Sequence, residues 1–198
     1  PASAGPPCRP PAVGAEPGWN GDTGASPSSY VNAFATGNAV TSTPSFIDMG
    51  NSSVPPGTPM ALFQDERWDP DGGSDMTWSF PVVPGRHRLR LYFAETYSGI
   101  TAPGQRVFDV EVEGATVLSN FDVFALVGAN RALVRTFYVD VPDSIMTVSF
   151  VHNIENPAIK AIEVSASPVG LLDAESPVVE GRASLAQNQR NPFRGPKR

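Results

Sequence analysis

A chain of 198 residues with 14 Lys and Arg against 20 Asp and Glu has a formal net charge of −6. That length holds one domain with flanking segments and buries enough apolar surface to fold without covalent staples. The acidic balance and the lack of a continuous basic face argue against a nucleic-acid partner. No apolar run is long enough to span a bilayer as a helix.

Residues 1–29 are dominated by Pro, Gly, Ala and Ser. Such a segment cannot offset its ordering entropy by burying apolar surface, so it reads as an extended arm. It opens Pro1-Ala-Ser-Ala with no signal peptide, as expected after cleavage or truncation. Cys8 is the only cysteine, so no intrachain disulfide forms. With no histidine near it in sequence to act as base, it reads as an idle thiol or as a bridge to another chain.

Residues 30–165 read as the folded core. Tyr30-Val-Asn-Ala33 suggests a short first strand. The Ser/Thr-rich stretch 36–43 reads as an ordinary loop or a carrier of O-linked sugar, and Asn51-Ser-Ser53 is an N-glycosylation sequon. Residues 61–68 read as a loop or strand entering the sheet. Glu66 and Arg67 within it are expected to form a structural ion pair or hydrogen-bond cluster, because charges beside a core need partners. Asp69-Pro-Asp-Gly-Gly-Ser-Asp75 is read as an acidic turn, with calcium as the alternative because its carboxylates are suitable oxygen ligands. It lacks the terminal Glu and the spacing of an EF-hand loop.

From Met76 onward the period is two. Leu89, Leu91 and Phe93 alternate with Arg88, Arg90 and Tyr92, and Phe108, Val110 and Val112 with Asp109 and Glu111. Phe137, Val139 and Val141 continue the pattern, as do Met146, Val148 and Phe150, then Ile162 and Val164. Each strand then has one apolar and one wetter face, as in an antiparallel sheet covered on one side. Val83-Pro-Gly85, Pro103-Gly104, Glu113-Gly114 and Pro142-Asp143 mark the reversals. A short turn of helix fits residues 124–131. Short strands at near-regular spacing predict an all-β chain folded as an antiparallel β-sandwich. His87 and His152 lie on or beside strands without metal-ligand spacing and read as surface or hydrogen-bonded residues. No cofactor is expected. Residues 166–198 read as an extended tail whose basic end (Arg190, Arg194, Lys197, Arg198) is solvated.

Several segments carry a family resemblance together. They are Leu62-Phe-Gln-Asp-Glu-Arg-Trp68, Leu91-Tyr-Phe-Ala-Glu-Thr-Tyr97, Arg106-Val-Phe-Asp-Val110 with Gly114, and Asn120-Phe-Asp-Val-Phe124 followed by Val127-Gly-Ala129. In order and spacing they resemble the malectin domain family over about two thirds of the chain. The resemblance implies a jelly-roll type sandwich with a sugar site at one end, built from loop aromatics and a carboxylate. Tyr97 matches a ligand-stacking Tyr, and Glu155 stands where vertebrate members carry a ligand-binding Asp. Phe46 falls near another aromatic position, and Asn153 is a candidate for the rim. Ser98 stands where those members carry Phe, and the segment after the first strand is shorter than in the family.

The resemblance also places Glu95 and Asp109 in structural motifs. Glycoside hydrolysis needs two carboxylates facing each other across a sugar, so no catalytic residue is assigned and no enzyme is expected. Leu185-Ala-Gln-Asn-Gln-Arg-Asn-Pro-Phe193 resembles the opening of a bacterial sorting domain of the type IX kind. It implies a secreted bacterial protein, outside the cell or on its surface. Two functional readings follow. The first is a noncatalytic, extracellular carbohydrate-binding module. The second is a structural subunit that self-assembles into a fibre or surface layer through its terminal arms.

Overall fold

The computed structural model describes residues 19–32, 39–70 and 72–167. The arm up to residue 18 with Cys8, and the tail from residue 168 with its basic and sorting-like segments, lie outside these residues.

The described residues form ten strands: β1 (Ala39–Ser42), β2 (Asp65–Trp68), β3 (Met76–Pro81), β4 (Gly85–Phe93), β5 (Val107–Val112), β6 (Ala115–Phe121), β7 (Leu133–Val141), β8 (Ile145–Ile154), β9 (Ala158–Ile159) and β10 (Ala161–Ala166). A 3-10 turn (Met60–Phe63) precedes β2. Helix α1 spans Val123–Val127, so it starts one residue before the stretch that sequence marks and stops well short of its end. Its limits have local causes. Asp122 caps the N-terminus by accepting from the Ala125 N–H (2.8 Å), and Gly128, at φ +77°, ends the helix.

Every strand pairing is antiparallel. Two sheets, ordered β10-β4-β7 and β3-β8-β5-β6, face each other across the main core. The apolar set of the alternation fills it: Leu89, Leu91, Phe108, Val110, Val148, Phe150 and Ile162 are all fully buried. Phe93, Phe108 and Phe121 interlock, with Phe93–Phe121 centroids 4.8 Å apart and Phe108–Phe121 edge-on at 5.7 Å. Fully burying side chains of this size contributes about 1.5–3 kcal/mol each. Tyr30-Val-Asn32 adds a single bridge, Val31 to Trp78, at the edge of β3.

The wetter face of β4 and β10 is not wet along its whole length. A third sheet, β1-β2-β9, and the 3-10 turn lie over one end of it. There Tyr92, Val134 and Ala161 join Ile47, Leu62 and Phe63 in a second apolar cluster. Trp19, inside the stretch read as arm, packs edge-on against Tyr92 (5.5 Å). Part of the Ser/Thr-rich stretch is β1 itself.

Strand direction defines two ends. Residues 82–84, 113–114 and 142–144 reverse the chain at one end. Residues 94–106, 122–132 and 155–157 connect strands at the other. Among the described residues no helix is long and apolar enough to cross a membrane.

Candidate functional site

The end with the long connections holds an unusual amount of buried charge. Glu66, Arg67, Asp69, Glu95, Arg106, Lys160 and Asp22 are all buried there. Glu66 and Arg67, adjacent on β2, point to opposite faces and do not pair with each other. Arg67 Nε donates to Asp22 Oδ2 (2.6 Å), and Lys160 Nζ donates to Glu66 Oε2 (2.7 Å). Lys160 also donates to Thr96 Oγ1 (2.6 Å), which donates in turn to Glu66 (3.2 Å). Burial pushes the Lys160 ammonium below the usual lysine range, and Glu66 opposes that shift.

A third ion pair supports Tyr97. As β4 ends, Glu95 makes a bridge to Ala129, and its carbonyl accepts from the Asn130 N–H (2.8 Å). Its carboxylate receives Arg106 Nη1 on both oxygens (3.0 and 2.9 Å) and the Tyr97 N–H on one (2.9 Å). Burial pushes the Glu95 carboxyl up, while Arg106 and the Tyr97 N–H act against it. The Arg106 guanidinium carbon lies 5.7 Å from the Tyr97 ring centroid, a cation–π contact. Tyr97 itself is 53% exposed. A ring held from behind and open in front can stack on the apolar face of a sugar.

At the same end of the sandwich, His152, Asn153, Glu155 and Asn156 line an open cleft of about 410 Å³. That volume lies within the range of small-molecule sites, roughly 300–1,000 Å³. Asn153 Nδ2 donates to Asp109 Oδ1 (2.8 Å), which also accepts the Asn120 N–H (2.6 Å). Glu155 sits at φ +59°, and its Oε1 accepts from Asn156 Nδ2 (2.9 Å). His152 Nε2 faces the Asp69 carbonyl (2.8 Å), which requires the proton on that nitrogen; Nδ1 lies 3.5 Å from Asp75. The cleft therefore offers a carboxylate, two amides and an imidazole, the groups that read hydroxyls.

Of the four residues expected to bind, Asn153 and Glu155 share this cleft. Tyr97 and Phe46 are not among its described lining residues. Tyr97 belongs to the same end, because Arg106 beneath it leads directly into Val107, which pairs with Ile154 next to Glu155. Phe46 is 75% exposed beside the fully buried Ile47. Its segment is tied to this end through the Asp48 N–H to Asn130 carbonyl bond (2.8 Å). His152 and Asn156 line the cleft as well, and sequence reasoning did not nominate either. Alternation marks His152 only as a strand residue, while Asn156, in Glu-Asn-Pro, carries a turn signal and nothing chemical.

Glu95 and Asp109 are held by separate partners, Glu95 by Arg106 and Asp109 by Asn120 and Asn153. Asp69 turns inward, fully buried, and accepts the Met76 N–H (2.7 Å). Burial pushes its carboxyl up. Among the described residues no group of three or more His, Cys, Asp or Glu is placed to hold a metal ion; residue 71 of the acidic turn lies outside them. Ser53 of the sequon is used internally, its Oγ accepting the Val134 N–H (2.9 Å).

The profile of the Malectin domain matches residues 18–163. Receptor-like protein 4 of Arabidopsis thaliana is 37% identical over 92 residues, 46% of this chain and 15% of that protein. In structure, the ANX2 ectodomain from Arabidopsis thaliana superposes with a TM-score of 0.62 at 15% identity, covering 74% of this chain and 42% of that one. A Bacteroides uniformis beta-glucuronidase does so at 0.57 and 16% identity, covering 75% and 16%. The chain thus spans less than half of each of these proteins.

Proposed function

The chain belongs to the malectin domain family, and from that premise we propose that it is a noncatalytic, extracellular carbohydrate-binding module. Tyr97 stacks on a sugar ring, Glu155 accepts hydrogen bonds from its hydroxyls, and Asn153 lies at the rim with Phe46 as an outlying aromatic. The observation that carries this reading is Tyr97: a half-exposed aromatic, held by a buried ion pair, at the sandwich end that holds the polar cleft of Glu155. Small-ligand sites are lined by aromatic side chains together with a few placed polar groups, the combination that this end of the sandwich presents. The relatives support an extracellular setting, since one is named a receptor-like protein and another an ectodomain.

The test is a glycan array carrying neutral, acidic and amino-sugar oligosaccharides, probed with the wild type, Tyr97→Ala and Glu155→Ala. The expected result is a defined set of glycans bound by the wild type and lost with Tyr97→Ala. Wild-type binding that Tyr97→Ala leaves unchanged would remove Tyr97 from the site.

The self-assembling reading rests on terminal segments outside the described residues.

A further inference from the structure

We propose that Gly99 and Arg106 are positioning residues for Tyr97, together fixing the orientation of the ring that the carbohydrate reading assigns to stacking. The inference rests on that reading for its purpose, but not for its geometry.

The observation begins with a glycine that its own backbone does not require. Gly57, Gly85, Gly104, Gly114 and Gly128 adopt positive φ, where side chains are strained, and a Cβ on any of them would meet nothing within 4 Å. Gly99 is the reverse case. Its φ lies outside the left-handed region, yet an added Cβ would fall 2.5 Å from Tyr97 Cε1, 2.7 Å from Cζ and 3.0 Å from the hydroxyl oxygen. Those distances are inside van der Waals contact, so one of the two groups would have to move. The residue at 99 is exposed and lies at a loop tip, and the Tyr97 ring is half exposed. The ring is the part free to yield.

The other neighbour is Arg106. Its guanidinium faces the ring at 5.7 Å and is 6% exposed as a residue, pinned by both oxygens of Glu95. Glu95 also holds the Tyr97 N–H, so one carboxylate fixes the backbone of Tyr97 and the cation against its ring. The Ile100 N–H to Tyr97 carbonyl bond (3.1 Å) closes the turn that brings Gly99 back to the ring. An aromatic platform held in one orientation loses less freedom when a ligand stacks on it. Small space at 99 and a fixed cation at 106 supply that orientation.

The experiment uses selectively labelled tyrosine. The chain has four tyrosines, Tyr30, Tyr92, Tyr97 and Tyr138, and comparison with Tyr97→Phe assigns the Tyr97 ring resonances. Gly99→Ala should move those resonances, leave the other three in place, and leave the melting temperature unchanged. Arg106→Lys should move them too; Gly99→Ala keeps the test decisive if the buried Arg106 variant fails to fold. Affinities for maltose, cellobiose and diacetylchitobiose are measured in parallel. For whichever of these binds, Gly99→Ala should weaken binding at least about tenfold, and should add nothing in a Tyr97→Ala background.

Unchanged Tyr97 resonances in Gly99→Ala would overturn the proposal. So would a sugar that Tyr97→Ala releases and Gly99→Ala still binds at wild-type affinity; the stacking reading would survive that result. If the ring moves but the wild type binds neither these sugars nor any array glycan, the positioning geometry stands and the carbohydrate reading falls.

Discussion

At one end of the sandwich the chain reverses through 82–84, 113–114 and 142–144. These turns close on backbone bonds, with the Val82 N–H on the Ser144 carbonyl (2.9 Å) and the Glu113 N–H on that of Thr147 (3.1 Å). Among the described residues the one buried ionisable group near them is His87, whose Nε2 meets the Val83 carbonyl (2.7 Å). The opposite end has longer connections and holds Glu66, Lys160, Glu95, Arg106, Arg67, Asp22 and Asp69 out of water. A buried ion pair adds little net stability, because desolvation offsets its attraction. What it does is penalise every arrangement except the one in which the partners meet. The turn end therefore closes strands, and the charged end fixes loop geometry beneath the half-exposed Tyr97.

That contrast is broken most forcefully at Lys160. Lys160→Ala strands the buried Glu66 carboxylate and should cost about 3–5 kcal/mol in denaturant unfolding. Replacing both partners, Glu66→Leu with Lys160→Met, should recover most of that loss. If the single variant unfolded like wild type, the charged end would have no dependence on its pairs. At the turn end, Gly114→Ala places a side chain at φ +73° and should cost about 1–2 kcal/mol through backbone strain alone. Glycan binding should not change, since the turn lies at the far end.

Glu163, away from both ends, responds to pH. It lies on the outer face of β10, within reach of Tyr92 Oη (2.6 Å), Arg90 and Arg88 (3.3 Å each). Burial opposes its charge, but the Tyr92 hydroxyl and the two guanidiniums outweigh burial and hold its carboxyl below the usual range. The folded state thus favours the ionised form. Its stabilisation is complete above the ordinary value of 4.5 and is lost as pH falls through the lower folded value. Glu163→Gln should be about 1 kcal/mol less stable than wild type at pH 7, and the gap should close in acid below pH 4.5. Glu95 and Asp69 have the opposite sign. Burial raises both, so the native state holds their protons more tightly, and their contribution declines as pH rises through the raised values.

The smallest effect on stability belongs to the residue with the largest expected effect on binding. Tyr97→Ala should change unfolding by no more than about 0.5 kcal/mol, as surface substitutions generally do. A large loss would make Tyr97 part of the core instead of the site.

Much of the fold was legible. Leu89, Leu91, Phe108, Val110 and Val148 were placed inward by alternation, and the Pro/Gly pairs fell between strands, because both signals are local. The second apolar cluster was not legible. Tyr92 and Ala161 sit on what alternation marks as the wetter face, and they are buried only because the third sheet, the 3-10 turn and Trp19 close over them. Tyr97 and Glu155 were marked by family motifs. Gly99 was not: a glycine next to an aromatic carries no local signal, and its need arises from where the ring folds back.

Periodicity, turn residues and motif spacing carry the strands after Met76, the turns, the inward face of the main core and the family resemblance, since all of these are properties of neighbouring residues. Which charges meet is set by the folded chain. Arg67 joins Asp22 across 45 positions and Lys160 joins Glu66 across 94. Register and sheet packing choose such partners, and no spacing along the chain encodes them.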